Sequence, residues 1–241
     1  MDIPVLDPGI PFFPDAAEAV ARREGLVAVG GSLRPEWLLT AYPQGIFPWF
    51  SEGEPICWWA LAPRTVLYPD KLHIGRSLAK TLRNKPYVVT VNRAFAEVVA
   101  ACAAASRPGQ NGTWITRRMR QAYEELHRIG HAHSFECWYP DGEGCLKLAG
   151  GLYGVQIGSV FFGESMFAAV SDASKIAFAR AVPYLAQCGI KMIDCQMDTE
   201  HLARFGSENV GFEYFQTALQ QLTVQPLQRP LLTETIFSNI G

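Results

Sequence analysis

The sequence lacks a long apolar run, a C-x-x-C pair and an excess of either charge. Because a helix that spans a bilayer needs about 20 apolar residues in a row, we expect no membrane segment. The N-terminal stretch has no basic start followed by an apolar run, so a secretory signal is not expected and a cytoplasmic location is. The formal net charge is −2, so a polyanionic partner would have to bind a local basic face.

Features of metal and cofactor sites are also absent from the sequence. The six cysteines are typical of reduced, mostly buried thiols. His131 and His133 lie close together, but no cysteine or carboxylate follows at ligand spacing. The glycines of 150–158 do not match a dinucleotide-binding or phosphate-binding loop, and they are better explained as strand glycines that allow close backbone approach. We therefore expect neither a metal nor a cofactor.

The pattern along the chain changes near residue 62. Residues 1–62 are rich in proline and glycine, with a helix predicted over 35–42 and a strand over 26–29. Strands and helices alternate from Arg64 onward, which predicts a second, larger domain over 63–241 with a mixed sheet. The predicted fold class is α/β (α+β). The element order is that of the acetyltransferase-like (GNAT-type) fold, a topological likeness that says little about chemistry.

The predicted elements of the larger domain follow from β-branched runs, caps and turn residues. Asn92 is predicted to cap a helix that runs to about Ala105, and Thr116 to cap one that ends at Gly130. A loop is predicted at 107–112 and a hairpin turn at 140–144. Strands are predicted at 65–68, 87–91, 134–139, 146–155, 159–162 and 192–196, and further helices at 77–83, 172–189 and up to about 222. The tail is expected to run over the surface.

Tryptophans concentrate in three places: Trp49, the pair Trp58–Trp59, and Trp114. One interpretation is a buried aromatic cluster. The other is a platform for an unpaired base, since base–aromatic stacking contributes roughly 1–3 kcal/mol per base. Composition alone does not separate the two.

Two basic runs could follow a nucleic-acid backbone. Arg76, Lys80 and Arg83 share one helical face, and Lys85 follows them. Arg117, Arg118 and Arg120 begin a predicted helix, whose free N–H groups attract phosphate. Solvated surface is the default interpretation of the first run and an equal alternative for the second, although a tryptophan followed by three arginines suits an RNA 3′ end.

Three polar residues stand in apolar strand surroundings. Glu164, expected at the end of a strand, needs a partner such as an ammonium group. The surrounding GESMF lacks the second glycine of a serine-hydrolase elbow. Asp194 and Gln196 lie two apart on the last predicted strand and should face the same way, although this motif taken alone is more typical of a solvated strand end.

Taken together, these segments resemble the leucyl/phenylalanyl-tRNA–protein transferase family. The resemblance extends over about residues 26–205 in family order, through GGSL (30–33), AYPQGIFPWFS (41–51), WW (58–59), PR (63–64), LHIGRS (72–77), GTWIT (112–116), AYEELHRIGHAHSFECW (122–138), GGLYGVQIG (150–158), FFGESMF (161–167), ASKIA (173–177) and IDCQ (193–196). The sequence departs from the family pattern at Leu152, where methionine is expected, in a longer hairpin at 140–147, and in the tail after about 205.

The resemblance implies a function and a site. The enzyme would move Leu or Phe, and less well Met, from aminoacyl-tRNA to the N-terminal α-amine of proteins that begin with Arg or Lys, marking them for degradation. Trp49 and Trp114 would hold the terminal adenosine, and Asp194 and Gln196 would be the catalytic pair. The aminoacyl pocket would comprise Leu152, Phe161, Glu164, Ser165, Met166 and Ile193. The tRNA backbone would meet Arg76, Lys80, Arg83, Lys85, Arg117 and Arg118. We expect a monomer.

Two other classes of function stay open at this point. A CoA-dependent N-acetyltransferase would need a pyrophosphate loop, and the nearest match, Arg22 to Val27, lies outside the larger domain. A non-catalytic RNA-binding module would bind charged and uncharged tRNA alike.

Overall fold

A computed structural model describes residues 3–240 except 23 and 106–112, so the loop predicted at 107–112 lies outside the described residues. The strands are β1 (Val5–Leu6), β2 (Leu26–Gly30), β3 (Phe47–Pro48), β4 (Cys57–Trp59), β5 (Arg64–Leu67), β6 (Val88–Val91), β7 (Ala132–Pro140), β8 (Leu146–Ile157), β9 (Val160–Ala168), β10 (Met192–Gln196), β11 (Glu208–Val210) and β12 (Glu234–Ser238). The helices are α1 (Ala16–Arg22), α2 (Pro35–Ala41), α3 (Arg76–Asn84), α4 (Phe95–Ala104), α5 (Arg117–Arg128), α6 (Ala173–Cys188), α7 (Glu200–Ala203) and α8 (Phe212–Leu222).

The strands form two mixed sheets, which confirms the predicted α/β class. The first part of the chain makes a four-stranded sheet in the order β1-β2-β4-β3. The rest makes an eight-stranded sheet in the order β11-β5-β10-β9-β8-β7-β6-β12. Neighbouring strands of the large sheet are antiparallel except β9 and β10, which run parallel. That parallel pair lies near the middle of the sheet and, as described below, positions the site.

Each face of the large sheet has its own apolar core, because alternate strand residues point to opposite faces. On one face, α6 packs against residues such as Phe135 and Ile193. On the other, α4 and α5 pack with Tyr153 and Phe162, and this core continues into Trp37 and Trp58 of the small sheet. The two sheets therefore share a continuous apolar core.

The helix caps agree with the sequence at one place and not at another. Thr116 caps α5 as predicted, its Oγ1 accepting from the N–H of Met119 at 3.2 Å. The prediction that Asn92 caps α4 is wrong, since the side-chain amide of Asn92 instead bonds the backbone of Ser134 and Leu231. The buried Glu136 meets the start of α4, where it accepts from the N–H of Ala94 at 3.3 Å. A partner from a distant strand thus replaced the local cap.

Two further predictions need correction. The tail does not simply run over the surface: β12 pairs with β6 and adds an edge strand to the sheet. The strand predicted to end at 162 continues to Ala168, so Glu164 lies within β9 rather than at its end.

The glycines of 150–158 do allow close approach, since a Cβ on Gly154 would lie 2.3 Å from the carbonyl oxygen of Phe162.

Three of the six cysteines are buried, and all six are free thiols. No described helix is long and apolar enough to cross a membrane.

Candidate active site

An apolar cavity of about 620 Å³ opens where β9 and β10 separate. The two strands are paired only as far as Phe162 and Asp194, and beyond these residues β9 stays with β8 while β10 stays with β5. Glu164 on β9 and Gln196 on β10 lie past this fork and line the cavity. The gap between two diverging strands therefore forms the opening.

The structure brings nine of the ten residues predicted for catalysis and substrate binding to this one cavity. They are Trp49, Trp114, Leu152, Phe161, Glu164, Ser165, Met166, Ile193 and Gln196. The tenth, Asp194, is fully buried and does not line the cavity. Much of the remaining apolar wall comes from α6 and from the segment after β10, including Phe178, Val182, Leu185 and Leu202.

Glu164 carries the carboxylate in this wall. It accepts a hydrogen bond from the hydroxyl of Tyr42 at 2.7 Å and from that of Tyr123 at 2.6 Å. Burial raises the pKa of Glu164 to about 7, while the two tyrosine hydrogen bonds act in the opposite direction. Burial raises the pKa of both tyrosines well above the usual value, so their hydroxyls remain protonated donors near neutral pH.

Asp194 is held by a buried cation. Its Oδ1 and Oδ2 accept from Nε and Nη2 of Arg64 at 2.8 and 2.7 Å, and neither side chain has any exposed area. Such a paired, bidentate arrangement satisfies the charge that burial would otherwise make costly. Both carboxylate oxygens of Asp194 are thus already occupied, which leaves Glu164 as the carboxylate of the cavity wall.

Gln196 has an unusual backbone and a defined orientation. Its φ is 55°, in the left-handed region that non-glycine residues rarely adopt, next to an irregularity in the pairing of β10 with β5. Its N–H donates to Oδ1 of Asp194 at 3.0 Å, which holds this conformation. The amide nitrogen lies 3.4 Å from Oδ2 of Asp194, and no described residue donates to the amide oxygen. That oxygen can accept a hydrogen bond from a molecule in the cavity.

A second, larger cavity adjoins the first. This aromatic groove, of about 830 Å³, is lined by residues that include Trp59, Arg117 and Arg120, and it shares Trp49 and Trp114 with the apolar cavity. The two shared tryptophans therefore stand where the cavities meet. Trp58, by contrast, is fully buried against Trp37. Within the Trp58–Trp59 pair, the buried-cluster interpretation therefore holds for Trp58 and not for Trp59.

The predicted backbone-binding residues lie in two places. Arg117 lines the aromatic groove, and Arg118 lies with its guanidinium 5.7 Å from the centre of the Phe50 ring. Arg76, Lys80 and Arg83 are exposed on α3, and the half-buried Lys85 follows that helix; none of these four lines either cavity. Among the residues that the structure describes, no cluster of three metal-binding side chains is found.

Sequence reasoning missed three residues of the site. Arg64, Tyr42 and Tyr123 stand within family-like motifs, but nothing in the sequence singles them out as residues of the site. Their partners are 130, 122 and 41 residues away along the chain. The one signal for them in the sequence is Glu164, because a carboxylate in apolar surroundings needs polar partners. The sequence does not indicate which residues those partners are.

Comparisons with known proteins identify the family of the chain. Residues 66–220 match the family model described as leucyl/phenylalanyl-tRNA protein transferase, and residues 31–61 match the model of its N-terminal domain. A leucyl/phenylalanyl-tRNA–protein transferase of Neisseria meningitidis serogroup B is 58% identical over 96% of both chains. Proteins of the same name from Anaeromyxobacter dehalogenans and Chromobacterium violaceum are each 53% identical, over 92% and 93% of both chains.

Likeness to solved structures is weak. A Staphylococcus epidermidis protein described as functionally unknown gives a TM-score of 0.41 at 10% identity, and the match covers 77% of this chain and 68% of that one. The family models and the extent of identity with the three relatives are decisive. The chain belongs to the leucyl/phenylalanyl-tRNA protein transferase family.

Proposed function

We propose that the protein transfers a leucyl or phenylalanyl group, and less well a methionyl group, from aminoacyl-tRNA to the α-amine of proteins that begin with Arg or Lys. The observation that carries the proposal is the junction of the two cavities at Trp49 and Trp114. An apolar cavity suits an aliphatic or aromatic side chain that is unbranched at Cβ, and tryptophans at its mouth suit the adenosine to which the amino acid is esterified.

The reaction needs no outside energy source, since an aminoacyl ester is already activated. The amine nitrogen of the acceptor attacks the ester carbonyl carbon, a C–N bond forms, and the bond to the ribose oxygen breaks. The proton lost by the amine goes to the departing ribose oxygen, directly or through water. An α-amine has an ordinary pKa of about 7.7–8.0, so an appreciable fraction is neutral near pH 7. Orientation of the two reactants can contribute roughly 7–11 kcal/mol.

The contacts of the polar residues support a proposed role for each of them. The amide oxygen of Gln196, on the cavity wall, accepts from the attacking amine and aims it. Asp194 positions Gln196 through the backbone N–H bond, and Arg64 in turn holds Asp194. Glu164, as a carboxylate, attracts the α-ammonium of the aminoacyl group. In this scheme Asp194 acts through Gln196 rather than on the substrate.

The tRNA body is bound by charge. The exposed cations Arg76, Lys80 and Arg83 on α3, with Lys85 beyond it, contact phosphates outside the cavities. Arg117 and Arg118 at the start of α5 contact phosphates nearer the aromatic groove. Such contacts are largely independent of sequence and weaken with salt.

We also propose a domain organisation and a cellular setting for the reaction. Residues 1–62 form the smaller domain and 63–241 the acetyltransferase-like (GNAT-type) one. The enzyme works as a cytoplasmic monomer without metal or other cofactor, and its products are marked for degradation by their new N-terminal residue.

The direct test mixes the protein with labelled aminoacyl-tRNA and peptides that begin with Arg, Lys or Ala. We expect label on the Arg and Lys peptides from Leu-, Phe- and Met-tRNA, and little from Ile- or Val-tRNA, because a branch at Cβ does not suit the cavity. Label transferred from acetyl-CoA instead would favour an N-acetyltransferase. Equal binding of charged and uncharged tRNA without transfer would favour an RNA-binding module.

A further inference from the structure

We infer that the aromatic groove is a subsite for the nucleotide that precedes the terminal adenosine of the tRNA, with Trp59 and Arg120 among its contacts. This inference rests on the proposed function and extends it, since the adenosine itself is assigned to Trp49 and Trp114. The groove shares those two residues with the aminoacyl cavity.

Continuity supports this occupant. If the aminoacyl group fills the apolar cavity and the adenosine lies at the two shared tryptophans, the polynucleotide must continue away from that junction. The groove adjoins the junction, and its volume of about 830 Å³ exceeds that of the apolar cavity. The 3′ end of a tRNA is single-stranded, so its bases are available for stacking.

Trp59 offers a fixed aromatic surface in the groove. Its indole N–H donates to the carbonyl oxygen of Trp49 at 2.8 Å, and the two rings meet at 62° with their centres 5.9 Å apart. The side chain is only partly buried, unlike that of its neighbour Trp58. A ring held in place in this way loses little conformational freedom when a base stacks on it.

Charge complementarity points to a phosphate on the side of α5. Arg117 and Arg120 line the groove from the first turn of this 12-residue helix and are exposed. Neither makes an ion pair with another described residue, whereas Arg128 at the far end of the same helix is paired with Glu125. The cations that face the groove are therefore those available to a ligand.

Carboxylates in the same groove specify which part of the nucleotide lies where. Glu52 and Glu54 also line it, and the carboxylate of Glu54 accepts from the N–H of Ser51 at 2.7 Å. They would repel a phosphate but accept hydrogen bonds from the exocyclic amino group of a base such as cytosine. The arrangement fits a nucleotide with its phosphate toward α5 and an amino-bearing base edge toward the 51–54 turn.

The experiment compares three minimal donors that carry a 3′-leucyl ester: adenosine, the dinucleotide CpA and the dinucleotide UpA. We expect kcat/KM to rise roughly tenfold from adenosine to CpA, as stacking of one base would give, and to rise less for UpA. Arg120→Ala should remove much of the gain for CpA and leave leucyl-adenosine unchanged. Arg128→Ala, which removes the same charge from the same helix, is the matched control and should keep the gain.

A second variant guards against indirect effects. Trp59→Phe keeps an aromatic ring beside Trp49 and should retain a smaller CpA gain, with the thermal unfolding midpoint showing that the fold is intact. Equal kcat/KM for adenosine and CpA in the wild type would overturn the subsite while leaving the proposed transferase function in place. So would an Arg120→Ala effect confined to the KM of the peptide, which would make the groove an acceptor site. No transfer from any donor, full tRNA included, would instead refute the proposed function.

Discussion

Arg64 and Asp194 form a bidentate ion pair in which neither side chain has any surface exposed to solvent. The Arg64 guanidinium also lies 4.8 Å from the ring centres of both Phe47 and Phe215 and donates to the carbonyl oxygen of Gly45 at 3.3 Å. One cation on β5 thus joins the N-terminal segment, β10 and α8. The loop that carries Trp49 and the strand that carries Gln196 meet at this side chain.

Removal of Arg64 should destabilise the whole protein. Arg64→Ala leaves Asp194 as an uncompensated buried charge, a loss of about 3–5 kcal/mol in the free energy of unfolding. Arg128→Ala breaks the exposed pair with Glu125, which solvent and salt screen, and should cost far less stability. Urea denaturation of both variants measures the difference. Equal small losses would show that the pair contributes little to the fold.

Glu164 should make stability depend on pH in a direction opposite to that of an ordinary carboxylate. Its folded-state pKa of about 7 lies above its usual value of 4.5, so the folded protein holds the proton more tightly than the unfolded chain. The free energy of unfolding should therefore fall as pH rises from about 4.5 to 7. Glu164→Gln removes the titration, and its denaturation curves should depend less on pH across this range.

Tyr123→Phe is the second test of the same group. It removes a hydrogen bond that lowers the Glu164 pKa, so the decline in stability should extend to higher pH than in the wild type. Identical pH dependence in the wild type and Glu164→Gln would mean that Glu164 does not titrate in this window.

Trp49 and Trp114 should matter for binding of the donor substrate. Replacement of either by alanine should raise KM for charged tRNA and for leucyl-adenosine alike, by roughly 5- to 150-fold for the loss of one stacked base. Replacement by phenylalanine should retain most of the affinity. Trp58→Phe serves as a control within the buried cluster and should lower the melting temperature without a change in either KM. If the Trp49 and Trp114 variants behave like it, these residues belong to the core only.

The exposed cations of α3 should contribute to binding of the tRNA body and not to binding of a minimal donor such as leucyl-adenosine. Lys80→Ala combined with Arg83→Ala should raise KM for charged tRNA. The slope of log KM against log salt concentration should fall by roughly one to two, because two phosphate contacts are lost. Transfer from leucyl-adenosine should stay the same. The double variant Lys191→Ala, Arg128→Ala removes equal charge elsewhere and is the control. An equal effect of both double variants would mean that net charge, not this face, attracts the tRNA.

The sequence predicted those parts of the molecule that depend on local pattern. The cap at Thr116 and the strand over 192–196 were confirmed because side chain and backbone interact within a few residues. Asn92 looked like a cap for the same local reason, but Glu136, 42 residues from Ala94, meets that helix instead. The partners of Asp194 and Glu164 likewise come from distant strands and helices, which no local pattern reveals.

The placement of Gln196 shows a second limit. Alternation along a strand predicted that Asp194 and Gln196 share a face, and their side chains do meet. The irregularity in the pairing of β10, with Gln196 at positive φ, leaves Asp194 in the core and Gln196 on the cavity wall. Such a backbone feature depends on neighbouring strands. The sequence therefore predicts that Asp194 and Gln196 belong to one site, but not that only Gln196 reaches the cavity.

Single-turnover transfer at saturating aminoacyl-tRNA shows whether Gln196 aims the attacking amine in this cavity. Gln196→Ala should lower the rate of the chemical step with little change in the Kd for aminoacyl-tRNA. Gln196→Glu should not move the pH optimum down to that of a carboxylate base, because the wild-type residue is an acceptor and not a base. Asp194→Ala combined with Gln196→Ala should be no slower than Gln196→Ala alone, since Asp194 acts through Gln196. A wild-type rate in the double variant would show that neither Gln196 nor Asp194 takes part in the chemical step.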